Sequence, residues 1–398
     1  MRVLFTTTGH AGHVLPMLPF ARAAADAGHD VLVATQRSRV AAVEEAGLAA
    51  APVAEADPAA WAPVMAELAD VSREAANGRM LAEGFGGLMA GAALPDVLDL
   101  IPDWRPDLVA RETFEFAGAL AAERHGVPVV RIGLGLQRTE RWAAAAAAPG
   151  VDRLREALGL APDPAGEGLL ATPVLTGVPA AFEAPVPRGG GPVHRFRAPR
   201  PAAAAPDPWP GDPRPLVYLT FGSVASSLPF FPGLYRDAIA TLAPLDARVL
   251  VTVGRGTDTE ALGPLPGNVR VATWLPQDAV LPHAAAVVCH GGHGSVLGAL
   301  AHGVPVAALP LFSTDQWHLA EQIAASGAGL ALTGAPRGSF ASPGPDVLGA
   351  LAGAVRTLLA GGTHARRAAG LGRAVAALPP VERAVSVLEA AGRRPVAC

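Results

Sequence analysis

The sequence predicts an α/β protein of two doubly wound parallel-sheet domains facing a cleft, and three observations lead there. Short Val-, Leu- and Ile-rich runs alternate with longer amphipathic or Ala-rich stretches from end to end, the pattern of parallel strands covered by helices on both faces. The 398 residues exceed one comfortable core and suit two. A Pro- and Ala-rich stretch, 197-RAPRPAAAAPDPWPGDPRP-215, has little periodicity and reads as a semi-rigid linker between two sets of strands.

In the first half the candidate strands are 2–7, 30–35, 107–112 and 127–133; in the second they are 215–222, 248–254, 269–274, 285–290 and 304–311. The boundaries follow as domains 1–205 and 206–379 with a terminal segment, 380–398. There 380-PVERAVSVLEAAG-392 places Val381, Ala384, Val385, Val387 and Leu388 at the spacing of a helix that must dock. The run 141-RWAAAAAAPG-150 reads as a helix or mobile loop stopped by Pro149 and Gly150, and segments 55–95 and 134–185 read as less regular.

A formal net charge of -4 argues against nucleic acid, which needs a basic face, and favours a small-molecule partner. Two cysteines, Cys289 and Cys398, cannot build a disulfide framework and suit a reducing cytoplasm. The start, MRVLFTTTGH, lacks the features of a secretory signal, and tracts such as 304-VPVAALPLF-312 are too short to span a bilayer, so a cytoplasmic protein without a membrane partner is expected. With no Asp-x-Asp pair and no His/Cys cluster at ligand spacing, no metal is expected.

In doubly wound folds ligands sit beyond the carboxyl ends of the strands. At one such end stands 289-CHGGHGSVLGALAHGVP-305, read as strand 285–290, loop 291–294 and a helix from Ser295. A glycine loop entering a helix presents backbone N–H groups and the positive dipole end, which favours a phosphate; Ser295 can cap the helix or bond the phosphate, and His290 can donate to it. The glycines alone equally suit a tight turn. Upstream, 274-WLPQ-277 offers an indole to stack on a base and, in Gln277, an amide for base or ribose. Downstream, Asp315 and Gln316 suit sugar hydroxyls, although Asp before a helix is also a common cap. Ser223 and Gly222 end a further strand, where they can meet the other side of a diphosphate.

The order W-x-P-Q, H-G-G-x-G-S, G-x-P and D-Q over 274–316 resembles the signature of family 1 glycosyltransferases of the GT-B fold, two facing Rossmann-like domains, and especially the bacterial enzymes that decorate natural products. The resemblance implies that Trp274 stacks on the donor base, that His290, Gly292 and Ser295 bind the diphosphate, that Asp315 and Gln316 bind the sugar, and that the terminal helix crosses back to the first domain. Where the plant signature has a ribose-binding Glu, this chain has Gly298, so ribose falls to Gln277 or to backbone.

The first strand runs into 9-GHAGHVLP-16, which resembles the family's G-x-x-G-H-x-x-P loop with His13 as catalytic base. A base must be neutral, and a helix N-terminus disfavours imidazolium. His10 is the rival. The family orients this base with a carboxylate after a later strand; here Glu112 falls in that place, Glu115 is the fallback, and a solvated Glu112 is the alternative. Trp61, Met65, Phe85 and Trp142 are candidates for an apolar acceptor pocket, with core packing at least as good a reading for any one of them.

The reading is a metal-independent, inverting hexosyltransferase of antibiotic biosynthesis or other secondary metabolism. It moves a (deoxy)sugar from a TDP- or UDP-linked nucleotide sugar, the co-substrate, to a hydroxyl of a small natural-product acceptor, as monomer or homodimer and without a cofactor. The alternatives are a nucleotide-sugar epimerase of the same fold and a catalytically idle nucleotide-sugar-binding homologue.

Overall fold

The computed structural model describes residues 1–68, 71–185, 189–199, 207, 209–334 and 342–393. β1 (Arg2–Thr6), β2 (Asp30–Gln36), β3 (Ala49–Val53), β4 (Leu108–Glu112), β5 (Val129–Ile132), β6 (Val174–Thr176) and β7 (Val193–Arg195) form one sheet in the order β3, β2, β1, β4, β5, β6, β7. β8 (Leu216–Thr220), β9 (Arg248–Thr252), β10 (Val269–Ala272), β11 (Ala284–Cys289), β12 (Val306–Ala308) and β13 (Gly329–Ala331) form another in the order β10, β9, β8, β11, β12, β13. The neighbouring pairs in both sheets are parallel.

Every residue of β4, β8 and β9 is buried; β8 and β9 are correspondingly near-continuous apolar runs, whereas β4 ends in the buried Arg111 and Glu112. Side chains alternate between faces. Val3 and Phe5 of β1 pack with Val14 and Met17 of the helix Ala11–Asp26 and with Ala384 and Leu388 of the terminal helix Ala384–Gly392, whereas Leu4 packs with Leu94 and Val97 on the opposite face.

The chain divides into two compact units, one of Met1–Val178, Pro185–Pro199 and Leu378–Cys398, the other of Pro179–Ala184 and Arg200–Ala377. The expected 205/206 boundary, most of the linker core and Cys398 lie outside the described residues. Each sheet reverses its strand order once, at the β1/β4 pair in the first unit and the β8/β11 pair in the second, and ligands of such sheets bind outside the carboxyl ends at that switch point. Thr7–His13, Thr113–Phe116, Phe221–Ser223 and His290–Gly292 follow those four strands.

Two stretches depart from expectation. Residues 55–95, read as less regular, contain the helix Pro58–Leu68 and most of a continuous helical run, Arg73–Trp104, whose middle, Met80–Met89, is wound as a π-helix. By length and composition that run could cross a membrane; here its Leu81, Ala90, Leu94, Val97 and Ile101 are buried in the core of the first unit. The Ala-rich helix does not stop at Pro149 and Gly150 but extends over Gln137–Ala157. A Cβ at Gly150 would lie 1.8 Å from the Ala82 carbonyl oxygen, and one at Gly86 would lie 2.9 Å from that of Ala147. These glycines let two helix backbones touch, and the packing gained there offsets the hydrogen bond lost at Pro149.

Gly150→Ala therefore lowers stability by about 1–3 kcal/mol although Ala is the better helix former. Urea unfolding reads the change, and a neutral or stabilised variant contradicts the contact.

Candidate active site

In the first unit, β1 leads through Thr7 and Thr8 into the helix Ala11–Asp26, with His10 at its N-cap and His13 in its first turn. β4 pairs with β1, Thr6 opposite Arg111, so Glu112 leaves its strand beside Thr8. The Glu112 side chain has no exposed surface. Its Oε1 accepts from His13 Nδ1 at 3.0 Å, Thr8 Oγ1 at 3.0 Å and Thr8 N at 3.3 Å, and its Oε2 accepts from Phe114 N at 2.6 Å. Burial by itself raises a carboxyl pKa, but the charge and hydrogen bond of His13, with the Phe114 and Thr8 donors, outweigh it and hold Glu112 below its ordinary value. The solvated alternative for Glu112 is thus overturned.

Glu115, the fallback, is engaged elsewhere. Thr6 Oγ1 lies 2.5 Å from one of its oxygens and Gly118 N donates to the other at 2.8 Å; burial pushes this carboxyl up. Arg111, 1% exposed, donates to the carbonyls of Glu112, Thr113 and Glu115 at 3.0–3.1 Å and to that of Leu169 at 2.8 Å, so it fastens the turn that carries Glu112. Burial and the neighbouring Arg131 bring its pKa down to about 10, and it stays charged at neutral pH.

A proton on Nδ1 facing Glu112 leaves Nε2 of His13 as the acceptor, the tautomer a general base needs. Phe85 lies stacked near the imidazole, centroids 5.8 Å apart, and Phe114 meets it edge-on at 5.3 Å. His10, 5.8 Å from His13 by ring centroids, is not among the donors on Glu112, and burial brings its pKa down to about 4.

In the second unit, His290 follows β11, and the helix His293–Ala301 begins three residues later with Gly292 as its cap. Ser295 therefore lies inside the first turn rather than capping it. His290 is wedged between two glycines: a Cβ at Gly222 would come within 2.6 Å of its Cε1, and one at Gly292 within 2.4 Å of its Nε2. Burial pushes the pKa of both His290 and His293 down to about 4, so both are neutral at pH 7, and the buried Nδ1 of each has no hydrogen-bond partner. Unsatisfied imidazole nitrogens beside a helix N-terminus suit a ligand that brings its own polar groups.

Gln277 Nε2 donates to Ser295 Oγ at 3.1 Å, and Gln277 Oε1 lies 3.0 Å from where a Cβ at Gly298 would stand, so Gln277 fills the space that the missing side chain leaves. Trp274 is 45% exposed, with the Arg255 guanidinium 3.9 Å above its ring. Ser223 is exposed after β8. Gln316 is buried and its Oε1 accepts from Leu311 N and Phe312 N, which fixes the loop after β12; the Asp315 carboxylate accepts from Ser313 Oγ. Among the described residues no group of three or more His, Cys, Asp or Glu is placed to hold a metal ion.

The family models for erythromycin biosynthesis protein CIII-like proteins match at residues 22–178 for the N-terminal domain and 236–390 for the C-terminal domain. The chain is 35% identical to TDP-daunosamine transferase of Streptomyces peucetius over 389 residues, 86% of this chain and 87% of that protein. It belongs to the antibiotic glycosyltransferases of the erythromycin biosynthesis CIII-like family. It is 33% identical to 4'-demethylrebeccamycin synthase of Lentzea aerocolonigenes, over 83% of this chain and 87% of that one. Among solved structures, glycosyltransferase VinC in complex with dTDP matches with a TM-score of 0.75 and 27% identity, covering 99% of this chain and 100% of that one. The fold is GT-B and the protein is a glycosyltransferase.

Of the four acceptor candidates in this glycosyltransferase, Phe85 stacks near His13 and also lines a small cavity in the first unit. Trp61 packs over Gly84 of the π-helix, Met65 is 40% exposed, and Trp142 packs against the first unit's core. Sequence reasoning missed Thr8, Arg111, Phe114 and Arg255. The traces were there: Arg111 interrupts an apolar strand, and Arg255 stands just beyond the end of β9.

Glu112→Gln keeps the shape and removes the charge; kcat for sugar transfer falls about 10²- to 10⁴-fold with donor KM nearly unchanged, read by mass-detected turnover, and full activity contradicts the pairing. His290 stays neutral in the folded chain down to about pH 4, whereas the unfolded chain takes up its proton near 6.5. Stability therefore drops as pH falls across that window. In His290→Asn the melting temperature drops less steeply there, and an unchanged slope contradicts the buried, neutral assignment.

Proposed function

We propose that the protein transfers a deoxysugar from a TDP-sugar, with UDP the second choice, to a hydroxyl of a small natural product, inverting the anomeric centre without a metal. The observation that carries this is His13 held by the buried carboxylate of Glu112 at the switch point of the first unit. His13 Nε2 takes the acceptor proton, and the oxygen attacks the anomeric carbon from the face opposite the nucleotide. On the second unit, Trp274 stacks on the base, Gln277 serves base or ribose, and Asp315 with Gln316 holds sugar hydroxyls. His290, Ser223, Ser295 and the backbone at Gly292 receive the diphosphate. Neutral donors and a helix N-terminus aimed at the leaving group supply preorganised stabilisation in place of a cation.

The TDP-daunosamine in the name of the Streptomyces peucetius relative and the dTDP bound to VinC support TDP. An epimerase or an idle binder has no need of a base aimed at an acceptor. We place the enzyme in the cytoplasm as a monomer or homodimer, without membrane or nucleic-acid partner; sedimentation separates the two states.

The test offers several nucleotide sugars with a panel of aglycones. His13→Ala abolishes transfer and keeps TDP affinity, whereas unchanged turnover removes His13 as the base. Trp274→Ala weakens TDP binding about 5- to 100-fold by calorimetry, as loss of one stacked base does, and unaltered affinity contradicts the stacking role. Activity lost with a chelator and restored by magnesium contradicts the metal-independent mechanism.

A further inference from the structure

The register of β4 and β5 sets Arg111 beside Arg131, and both are buried. Two neighbouring cations withdrawn from water need acceptors and counter-charges. They share the Leu169 carbonyl, which accepts from Arg111 Nη2 at 2.8 Å and from Arg131 Nη1 at 2.7 Å. A counter-charge comes from Glu140, buried on the helix Gln137–Ala157, whose Oε2 accepts from Arg131 Nε at 3.0 Å. Gly133, just after β5, makes the room, since a Cβ there would stand 2.7 Å from Glu140 Oε1.

That second oxygen reaches the turn that carries Glu112. Glu140 Oε1 lies 3.0 Å from Thr113 Oγ1, and Thr113 stands between Glu112 and Phe114, whose amide donates to Glu112 Oε2. The Thr113 hydroxyl has one hydrogen and two acceptors in reach, Glu140 Oε1 and, at 3.2 Å, the Ile132 carbonyl; it accepts in turn from Leu134 N at 3.2 Å. A carboxylate is the stronger acceptor of the two. Thr113 is thus tied to the helix and to the loop after β5 through its side chain, while Arg111 holds the carbonyls of Glu112, Thr113 and Glu115.

Resting on the reading of Glu112 and His13 as the catalytic pair, we propose that Thr113 and Glu140 are positioning residues for it. Glu140, fixed by Arg131, holds the Thr113 hydroxyl, and Thr113 holds the turn that aims the Phe114 amide and the Glu112 carboxylate. Both act through Glu112 and not on a substrate. The chemistry is sensitive to such support, because a displacement of about 1 Å in a reacting geometry can cost about 10²-fold in rate.

The experiment uses the full chain with a nucleotide sugar and an aglycone that it accepts. Thr113→Val keeps the branched shape, removes the hydroxyl and leaves the Arg131 and Glu140 ion pair in place; Thr113→Ser keeps the hydroxyl. Expected are a fall in kcat of about tenfold or more in Thr113→Val with donor KM within about twofold of the wild type, and recovery to within about threefold of wild-type kcat in Thr113→Ser. In ¹⁵N-histidine spectra the Nδ1-protonated preference of His13 weakens in Thr113→Val and returns in Thr113→Ser. Glu140→Gln, which withdraws the charge from the same contact, lowers kcat in the same way and covers the case in which Thr113→Val does not fold. A folded Thr113→Val with wild-type kcat overturns the proposal, as does a loss of activity with the His13 tautomer unaltered or an equal loss in Thr113→Ser, either of which reduces the network to packing. Full turnover in Glu112→Gln contradicts the catalytic pair instead, and the His13 tautomer still reports whether Thr113 positions Glu112.

Discussion

The bond between Glu112 and His13 places a carboxylate where no water reaches it, and much of the first unit is arranged to make that tolerable. An unpaired buried charge costs several kcal/mol, so the chain surrounds it with donors from the imidazole, the Thr8 hydroxyl and amide, and the Phe114 amide. The β1/β4 pairing brings Thr8 and Glu112 together, the first helix turn brings His13, and Arg111 fastens the turn from beneath. A longer side chain than Asp is accommodated because four donors converge on its two oxygens. The same bonds that keep Glu112 ionised also select the His13 tautomer, so stability and chemistry share one set of contacts.

The second unit meets the opposite requirement at the corresponding place in its sheet. There, burial keeps His290 and His293 neutral, and the space is made by glycines rather than by donors. A neutral imidazole can approach a diphosphate as a hydrogen-bond donor without demanding a counter-charge when the site is empty. Arg255, held on the Trp274 ring, sets a cation on that exposed indole while staying in contact with water.

The central strands were legible in the sequence because buried parallel strands announce themselves as apolar runs, but their order, and with it the two switch points, came only from the fold. Strands β3, β6, β7 and β13, at or next to the sheet edges, were not legible. β3 reads AAAPV, and β6, β7 and β13 have three residues each, too few to show a period. The helical run 73–104 was hidden by glycines at 84, 86 and 87, which local propensity scores as breakers and tertiary contact requires. Within the site, His13 and Glu112 could be read from position, but whether Glu112 was solvated depended on four donors spread over more than a hundred residues of chain. The Gln277 and Ser295 pair and the place of Arg255 on Trp274 are likewise products of packing between segments distant in sequence.

The tautomer of His13 tests the central claim most directly. In ¹⁵N-histidine-labelled protein near neutral pH, with His13 assigned by its loss in His13→Ala, the account predicts a protonated Nδ1 and a bare Nε2, a preference that is lost in Glu112→Gln. An Nε2-protonated ring in the wild type, or a spectrum indifferent to the Glu112 change, would contradict it.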